Sequence, residues 1–152
     1  MSSDSIEVRL LGVTDLGVLD HVEADVFDYP VQRSLAEQYL STPGNLLAVA
    51  TLSGVVVGMA SAIIYLHPDK PLQLFINEVG VSERVQRQGV GKRLMSVLLE
   101  RGRIMGCTEA WVATEVDNHA GRALYNSLAG TEDEDRAVVY TWQLGSKGAG
   151  GK

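Results

Sequence analysis

The stretch from Gln86 to Lys92, here called the glycine loop, restricts the fold more than any other part of the chain. It places Gly89 and Gly91 between an apolar strand pattern over residues 72–81 and an amphipathic helix pattern. Glycine lets the backbone approach a ligand closely, and the first turn of a helix leaves N–H groups without intrahelical partners. Because the helix dipole is positive at that end, the loop predicts an anion site suited to a pyrophosphate.

The spacing within the loop excludes two other phosphate motifs. A Walker loop needs a longer spacing and a Ser or Thr after the lysine, and a dinucleotide-binding loop needs a third glycine. Arg87 and Lys92 add positive charge beside the glycines. On the two glycines alone, a plain strand-to-helix turn would be the better explanation.

Composition narrows the class of protein. The 152 residues are 45% hydrophobic and 21% charged, which predicts one packed domain. The net charge of -6 disfavours a nucleic-acid partner and suits a cationic substrate, although solubility alone explains mild acidity. The single cysteine excludes an intrachain disulfide and fits a cytoplasmic protein. With no signal-peptide pattern at the N-terminus and no long apolar run, we expect no membrane partner.

The order of predicted elements indicates an α/β (α+β) fold with a mixed sheet covered by helices. We expect one domain over residues 1–144 and a flexible Gly-rich tail over 145–152. The predicted strands span residues 6–11, 46–51, 55–65, 72–81, 109–114 and 138–144, and the predicted helices span about 15–26, 33–40, 90–104 and 118–128.

Two motifs carry a resemblance to a known family. The glycine loop resembles the Gln/Arg-x-x-Gly-x-Gly/Ala signature of the GNAT N-acetyltransferases, in which it cradles the pyrophosphate of coenzyme A (CoA). Residues 118–125 resemble the family's Asn-x-x-Ala-x-x-Leu/Phe-Tyr helix, with Gly121 where Ala is usual. Both motifs stand in the family's order, with a strand between them. The resemblance therefore implies the GNAT fold, a mixed central sheet with splayed fourth and fifth strands flanked by about four helices.

The resemblance also implies a cofactor site for acetyl-CoA. The pantetheine arm of CoA would enter the gap between the splayed strands and pair with the backbone at Val79 and Val81. Asn118 is implied as a cofactor contact, although its role as a helix cap explains it adequately. The cofactor-binding residues that the resemblance implies are Val79, Val81, Arg87, Gln88, Gly89, Val90, Gly91, Lys92, Asn118, Gly121 and Tyr125.

Glu78 and Tyr125 are the expected catalytic residues. Glu78 is a carboxylate inside an apolar strand, where desolvation raises its pKa toward the range of a useful general base. Whether it would act directly or through water is left open, and an exposed, solvated Glu78 is the alternative. By resemblance, Tyr125 would protonate the leaving thiolate; its alternative is a core aromatic on the apolar side of its helix.

Acidic residues in the sequence suggest that the acetyl acceptor is positively charged. We expect Asp28, Tyr29, Glu115 and Asp117, together with Glu78, to bind a small cationic amine, whereas the acidic run 132–135 is better explained as a solvated loop. Residues 76–81 resemble the type I aminoglycoside 3-N-acetyltransferases, which implies acetylation of an aminoglycoside at the 3-N position. The alternatives are another small amine, an amino acid or a protein amine, and a non-catalytic CoA-binding module. The histidines show no metal-ligand spacing, so we expect no metal, and a homodimer is left open.

Overall fold

The computed structural model describes residues 5–146. The predicted mixed α/β architecture is confirmed, with a five-stranded sheet in the order β1-β2-β3-β4-β5. The strands are β1 Ile6–Leu10, β2 Asn45–Leu52, β3 Val55–Tyr65, β4 Gln73–Val81 and β5 Glu109–Val112, and the helices are a 3-10 helix at Val13–Asp20, α1 Arg33–Ser41, α2 Val90–Ile104 and α3 His119–Ser127, with a short 3-10 turn at Glu83–Val85.

The first four strands run antiparallel, and β5 lies parallel to β4. The predicted tight turn between β2 and β3 is present, because Ser53 and Gly54 both take positive φ angles of 51° and 80°. Two successive positive φ values are those of the hairpin turn whose twist matches that of the flanking strands. The β2–β3 hairpin therefore forms the middle of the sheet from local sequence alone.

Two apolar layers hold the sheet. On one face, α2 buries Leu94 and Leu98 against Ala48, Ala62 and Ile76. On the opposite face, the 3-10 helix and α1 cover a second cluster that includes Val49 and Met59. α1 packs on β2 and the 3-10 helix packs on β3, so these helices leave this face of the sheet open at β5, where Trp111 is 45% exposed. The fold thus leaves a place for a ligand on that side.

The fourth and fifth strands separate after four paired residues. Residues 73–76 of β4 pair with 109–112 of β5, and beyond that point residues 77–81 have no β5 neighbour. A β-bulge at Asn77 interrupts the pairing with β3, since Ser61 lies opposite Glu78 and Ala62 opposite Ile76. The predicted splay is therefore present at the segment that carries Glu78.

The bulge also reverses which side chains face which side of the sheet. Before it, Leu74 and Ile76 point to the α2 layer; after it, Val79 and Val81 do so. Glu78 and Gly80 consequently lie on the other face, which is the open face. A regular strand would have turned Glu78 toward the apolar α2 layer.

Two predicted elements were wrong. The first helix is a 3-10 helix that ends at Asp20, because Val22 then forms a β-bridge with Val56 and the chain becomes extended. Residues 138–144 do not form a strand, since no strand within residues 5–146 pairs with them. The fifth strand ends at Val112, two residues early. Of the predicted tail, residues 147–152 lie outside the described part of the chain.

Candidate active site

The glycine loop has, at the start of α2, a backbone geometry that is suited to an anion. Arg87 and Gly89 both take left-handed φ angles, 65° and 77°, and Gly89 caps α2 without a side-chain hydrogen bond. The Gln86 amide donates to the carbonyl of Val81 at 3.1 Å, which ties the loop to the end of β4. Left-handed residues next to a helix start turn successive N–H groups toward one point, and the first N–H groups of α2 point the same way.

Space around the loop differs between its two glycines. A Cβ added at Gly89 would have no atom of residues 5–146 within 4 Å, so the described part of the chain leaves this position open. At Gly91 an added Cβ would meet Leu124 of α3 at 3.2 Å. Gly89 is thus required by its φ angle and leaves room for a ligand, whereas Gly91 lets α2 and α3 approach each other.

Glu78 and Asp28 form a carboxyl pair on the open face of the sheet. Burial raises the pKa of Glu78, and the negative charge of Asp28 and its hydrogen bond to Glu78 raise this pKa further. A lone carboxylate in that position would be a weaker base and would hold its proton less readily. The structure therefore brings together two residues that lie far apart in the sequence and assigns Asp28 a place beside the expected base.

The loop that carries Asp28 is fastened over the end of β4. The carboxylate of Asp25 accepts a hydrogen bond from the backbone N–H of Glu83 at 2.8 Å, which lowers the pKa of Asp25. Arg84 forms an ion pair with Glu23 at 3.2 Å. Gly80 makes the close approach feasible, because a Cβ there would collide with the carbonyl oxygen of Val26. Tyr29, 61% exposed, continues the same loop.

Two residues behind Glu78 were missed by the sequence analysis. Ser61, opposite Glu78 in the β3–β4 register, is buried, and the Tyr39 hydroxyl donates to the carbonyl of Leu46 at 2.6 Å and lies 3.1 Å from that of Ala62. Burial raises the pKa of Tyr39, and the charge of Glu78 adds to this. Ser61 could have been noticed in the sequence, because it is the one serine in the apolar strand β3. Tyr39 had no comparable signal.

Tyr125 lies on α3 with its ring against the α2 layer. Its side chain is half-buried, and burial raises the pKa of its phenol, which keeps it protonated at neutral pH. The hydroxyl makes no hydrogen bond to any residue in the range 5–146. Tyr125 therefore packs through its ring and still presents a proton, so both expected roles are compatible with its position.

Asn118 caps α3. Its side-chain oxygen accepts from the Gly121 N–H at 3.0 Å, and its amide nitrogen donates to Thr114 at 2.8 Å. A Cβ at residue 121 would come within 2.6 Å of that amide nitrogen, so an alanine there would require the Asn118 side chain to shift. The structure thus favours the capping role for Asn118 over a direct cofactor contact.

Glu115 and Asp117 are exposed in the turn between β5 and α3. Since β5 runs parallel to β4, this turn follows the strand ends at which the gap opens. Arg122 holds the turn by donating to the carbonyl of Val116 at 2.7 Å, and it also pairs with Glu132 at 2.9 Å. Glu132 is therefore a structural partner of α3, where a solvated loop residue was predicted.

Residues 5–146 contain neither a metal-binding cluster nor a membrane-spanning helix. No group of three or more His, Cys, Asp or Glu side chains is arranged to hold a metal ion in this range. No helix in the same range combines the length and apolar character needed to cross a bilayer.

Comparisons with known proteins agree with this geometry. N-alpha-acetyltransferase RimI of Mycobacterium tuberculosis is 29% identical over 134 residues, covering 84% of this chain and 81% of that protein. Human N-acetyltransferase 8 is 33% identical over 97 residues, which are 62% of this chain and 42% of that protein, so the chain spans less than half of its length.

The solved structure of aminoglycoside N-acetyltransferase AAC(6')-Iy in complex with CoA has the same fold. The TM-score is 0.71 at 20% identity, with 92% of this chain and 96% of that one covered. Residues 18–130 match the acetyltransferase (GNAT) family, a range that includes the glycine loop, Glu78, Asp28 and the capped α3 helix. The chain therefore belongs to the acetyltransferase (GNAT) family.

Proposed function

We propose that the protein transfers the acetyl group of acetyl-CoA to a primary amine of an aminoglycoside, with the 3-N position as the expected site. Family membership supplies the reaction class, an acetyl-CoA-dependent N-acetyltransferase. The observation that carries the acceptor proposal is the Glu78–Asp28 carboxyl pair on the open face beside the gap. A pair of carboxyl groups suits a substrate that arrives as an ammonium ion and must leave as an amide.

The glycine loop and the gap between β4 and β5 indicate where acetyl-CoA, the donor, would bind. The pyrophosphate of CoA would lie against the first N–H groups of α2 in front of Gly89, with Arg87, Gln88 and Lys92 around it. Pantetheine would run along the unpaired edge of β4 at Val79 and Val81. Holding both reactants in line converts a bimolecular step into an intramolecular one, which contributes up to about 7–11 kcal/mol in favourable cases.

The Glu78–Asp28 carboxyl pair indicates how the acceptor amine would bind and react. Glu78 would take a proton from the ammonium ion, directly or through water, and the freed amine would attack the thioester carbonyl. Asp28 would keep the pKa of Glu78 high enough for this proton transfer and would attract the positively charged acceptor. When the C–S bond breaks, the nitrogen would lose its second proton to solvent water and the amide forms. Tyr125 would give its proton to the CoA thiolate and regain one from solvent. Tyr29, Glu115 and Asp117 would bind the remaining amino groups.

A thiol-release assay over an acceptor panel tests the proposal. The panel should contain kanamycin-like and gentamicin-like aminoglycosides, simple monoamines, and peptides with a free N-terminus. We expect the highest kcat/KM with an aminoglycoside, and NMR of the product assigns the acetylated nitrogen. The name of the AAC(6') relative carries a different position, so acetylation at 6' would correct the 3-N expectation and leave the aminoglycoside proposal intact. If no acceptor is turned over although CoA binds, the protein is a CoA-binding module.

A protein N-terminus is the second candidate acceptor. It is favoured by the similarity to the RimI protein, which covers four fifths of both chains. A peptide has one reactive ammonium, whereas an aminoglycoside has several, so added salt should weaken peptide binding much less. Turnover of peptides with a nearly salt-independent KM, and none of aminoglycosides, would establish this candidate.

A further inference from the structure

Ser61 carries a buried hydroxyl that has no hydrogen-bond partner. The residue is 6% exposed, within a stretch of β3, residues 56–62, that is buried throughout. Its Oγ makes no hydrogen bond to any residue in the range 5–146. Leaving a buried hydroxyl unpaired costs stability, and most buried polar atoms in folded proteins are paired. An alanine would avoid this cost at nearly the same volume, so packing alone does not account for the serine.

Two acceptors lie beside this hydroxyl. Glu78 is directly opposite Ser61 in the β3–β4 pairing and on the same face of the sheet, and cross-strand neighbours of this kind have Cβ atoms about 4.5–5.5 Å apart. Tyr39 of α1 reaches the same place. Burial raises the pKa of the Tyr39 phenol, and Ser61 is close enough to act on this pKa in the opposite direction. The charge of Glu78 also acts on Tyr39, so the three side chains form one cluster.

The other bonds of this cluster make Ser61 a hydrogen-bond donor. The Tyr39 hydroxyl has a single proton and donates it to the carbonyl of Leu46 at 2.6 Å, so toward Ser61 its oxygen can only accept. An ionised carboxylate also only accepts. Glu78 has two carboxyl oxygens, and the hydrogen bond with Asp28 needs only one of them. The other oxygen is available to the hydroxyl of Ser61.

We propose that Ser61 is a positioning residue for Glu78, with a hydroxyl that donates to the Glu78 carboxylate while it is ionised and to the oxygen of Tyr39 once Glu78 has taken up a proton. A charged acceptor forms the stronger hydrogen bond, which decides the orientation of the hydroxyl in each state. The hydroxyl thereby holds the ionised carboxylate against β3 and releases it when the proton arrives. The inference rests on the proposed function, because it takes Glu78 to be the base.

The groups that face Glu78 act on its pKa in opposite directions. Burial raises this pKa, and Asp28, from the loop before α1, raises it further. Tyr39, from α1, is neutral at neutral pH, because its own pKa is raised. From β3 the facing residue is Ser61, which does not titrate, and β5 ends at Val112 before this point. A hydrogen bond donated to the charged form lowers a pKa, so Ser61 limits the increase and keeps Glu78 ready to accept a proton.

NMR titration of the labelled Glu78 carboxyl carbon tests the hydrogen bond without any substrate, and Glu78→Gln assigns the signal. Ser61→Ala should shift the titration midpoint upward by roughly one to two pH units, the effect of losing one hydrogen bond to a charged group. Ser82→Ala is the matched control, because Ser82 is also buried but its hydroxyl acts on Asp25. It should leave the midpoint of Glu78 unchanged. An unchanged midpoint in Ser61→Ala, or equal shifts in the two variants, overturns the inference.

The pH profile of kcat/KM tests the effect on the reaction. In Ser61→Ala the acid limb should move to higher pH by as much as the NMR midpoint, whereas Asp28→Asn should move it to lower pH. Ser61→Thr keeps the hydroxyl and suits a strand, so it should restore the original limb. A shifted midpoint with an unmoved limb overturns the role of Glu78 as the base, and with it the kinetic role of Ser61. An unchanged midpoint in Ser61→Ala overturns the inference alone and leaves the proposed function standing.

Discussion

Replacing Gly89 by alanine should separate CoA binding from folding. Gly89 has a φ angle of 77°, and a Cβ there would meet no atom within 4 Å, so the only cost to the fold is the left-handed conformation. This cost is about 1–2 kcal/mol. For a domain of this size it lowers Tm by roughly 2–4 °C per kcal/mol. If the pyrophosphate lies against this loop as proposed, the added methyl group would crowd it.

Gly54 provides a matched control for this change. Its φ angle is 80° and its surroundings are equally open, but it lies in the turn between β2 and β3. Gly54→Ala and Gly89→Ala should therefore lose similar stability in a thermal melt without ligand. Only Gly89→Ala should weaken CoA binding, by roughly 10- to 100-fold if one hydrogen bond to the charged pyrophosphate is lost. Equal CoA affinities of the two variants in calorimetry would refute the placement of the pyrophosphate.

The remaining predictions concern the acceptor and the leaving group. Glu78→Gln should lower kcat by about 10²–10⁴-fold; a change in KM alone would make Glu78 a binding residue. Asp28→Asn should move the acid limb of the pH profile to lower pH, because removing that charge lowers the raised pKa of the base, and an unmoved limb would contradict the pairing. Tyr125→Phe should reduce kcat and spare CoA affinity; unchanged turnover with rate-limiting chemistry would leave Tyr125 a packing residue. Glu115→Gln with Asp117→Asn should raise the acceptor KM and reduce its dependence on salt, and an effect confined to kcat would contradict a binding role.

The sequence correctly predicted those elements that are determined by residues close together in the chain. The helical spacing of Val90, Leu94 and Leu98, the Ser53-Gly54 turn and the Asn118 cap all correspond to what the structure contains. The first helix was overextended because its end is set by a distant residue, Val56, whose backbone accepts from Glu23 at 2.9 Å. Segment 138–144 has the pattern of a strand, but a strand also needs a neighbour, and sequence does not say where that neighbour lies.

In the candidate site, too, local features could be predicted from the sequence and long-range contacts could not. The geometry of the glycine loop was predictable because it depends on seven consecutive residues, and its role in binding CoA stays a prediction. The Glu78–Asp28 pair was not, since it depends on a loop 50 residues away being drawn over β4 by Asp25 and by the absence of a side chain at Gly80. The sequence analysis expected Asp28 to bind substrate. Its position beside Glu78 is visible only in the folded structure.

The extra residue at Asn77 lets β4 carry a carboxylate where a regular strand of the same length would not. One residue separates Ile76, which faces the α2 layer, from Glu78, and regular alternation over that spacing would place both side chains on the same face. The bulge absorbs the odd residue, so Glu78 and Gly80 reach the open face. Deleting Asn77 would therefore give a regular strand that still presents Glu78 opposite Ser61, whereas regular pairing at the present length would send the carboxylate into the apolar layer under α2. In comparing relatives, a one-residue gap at this point is compatible with a carboxylate kept on the open face.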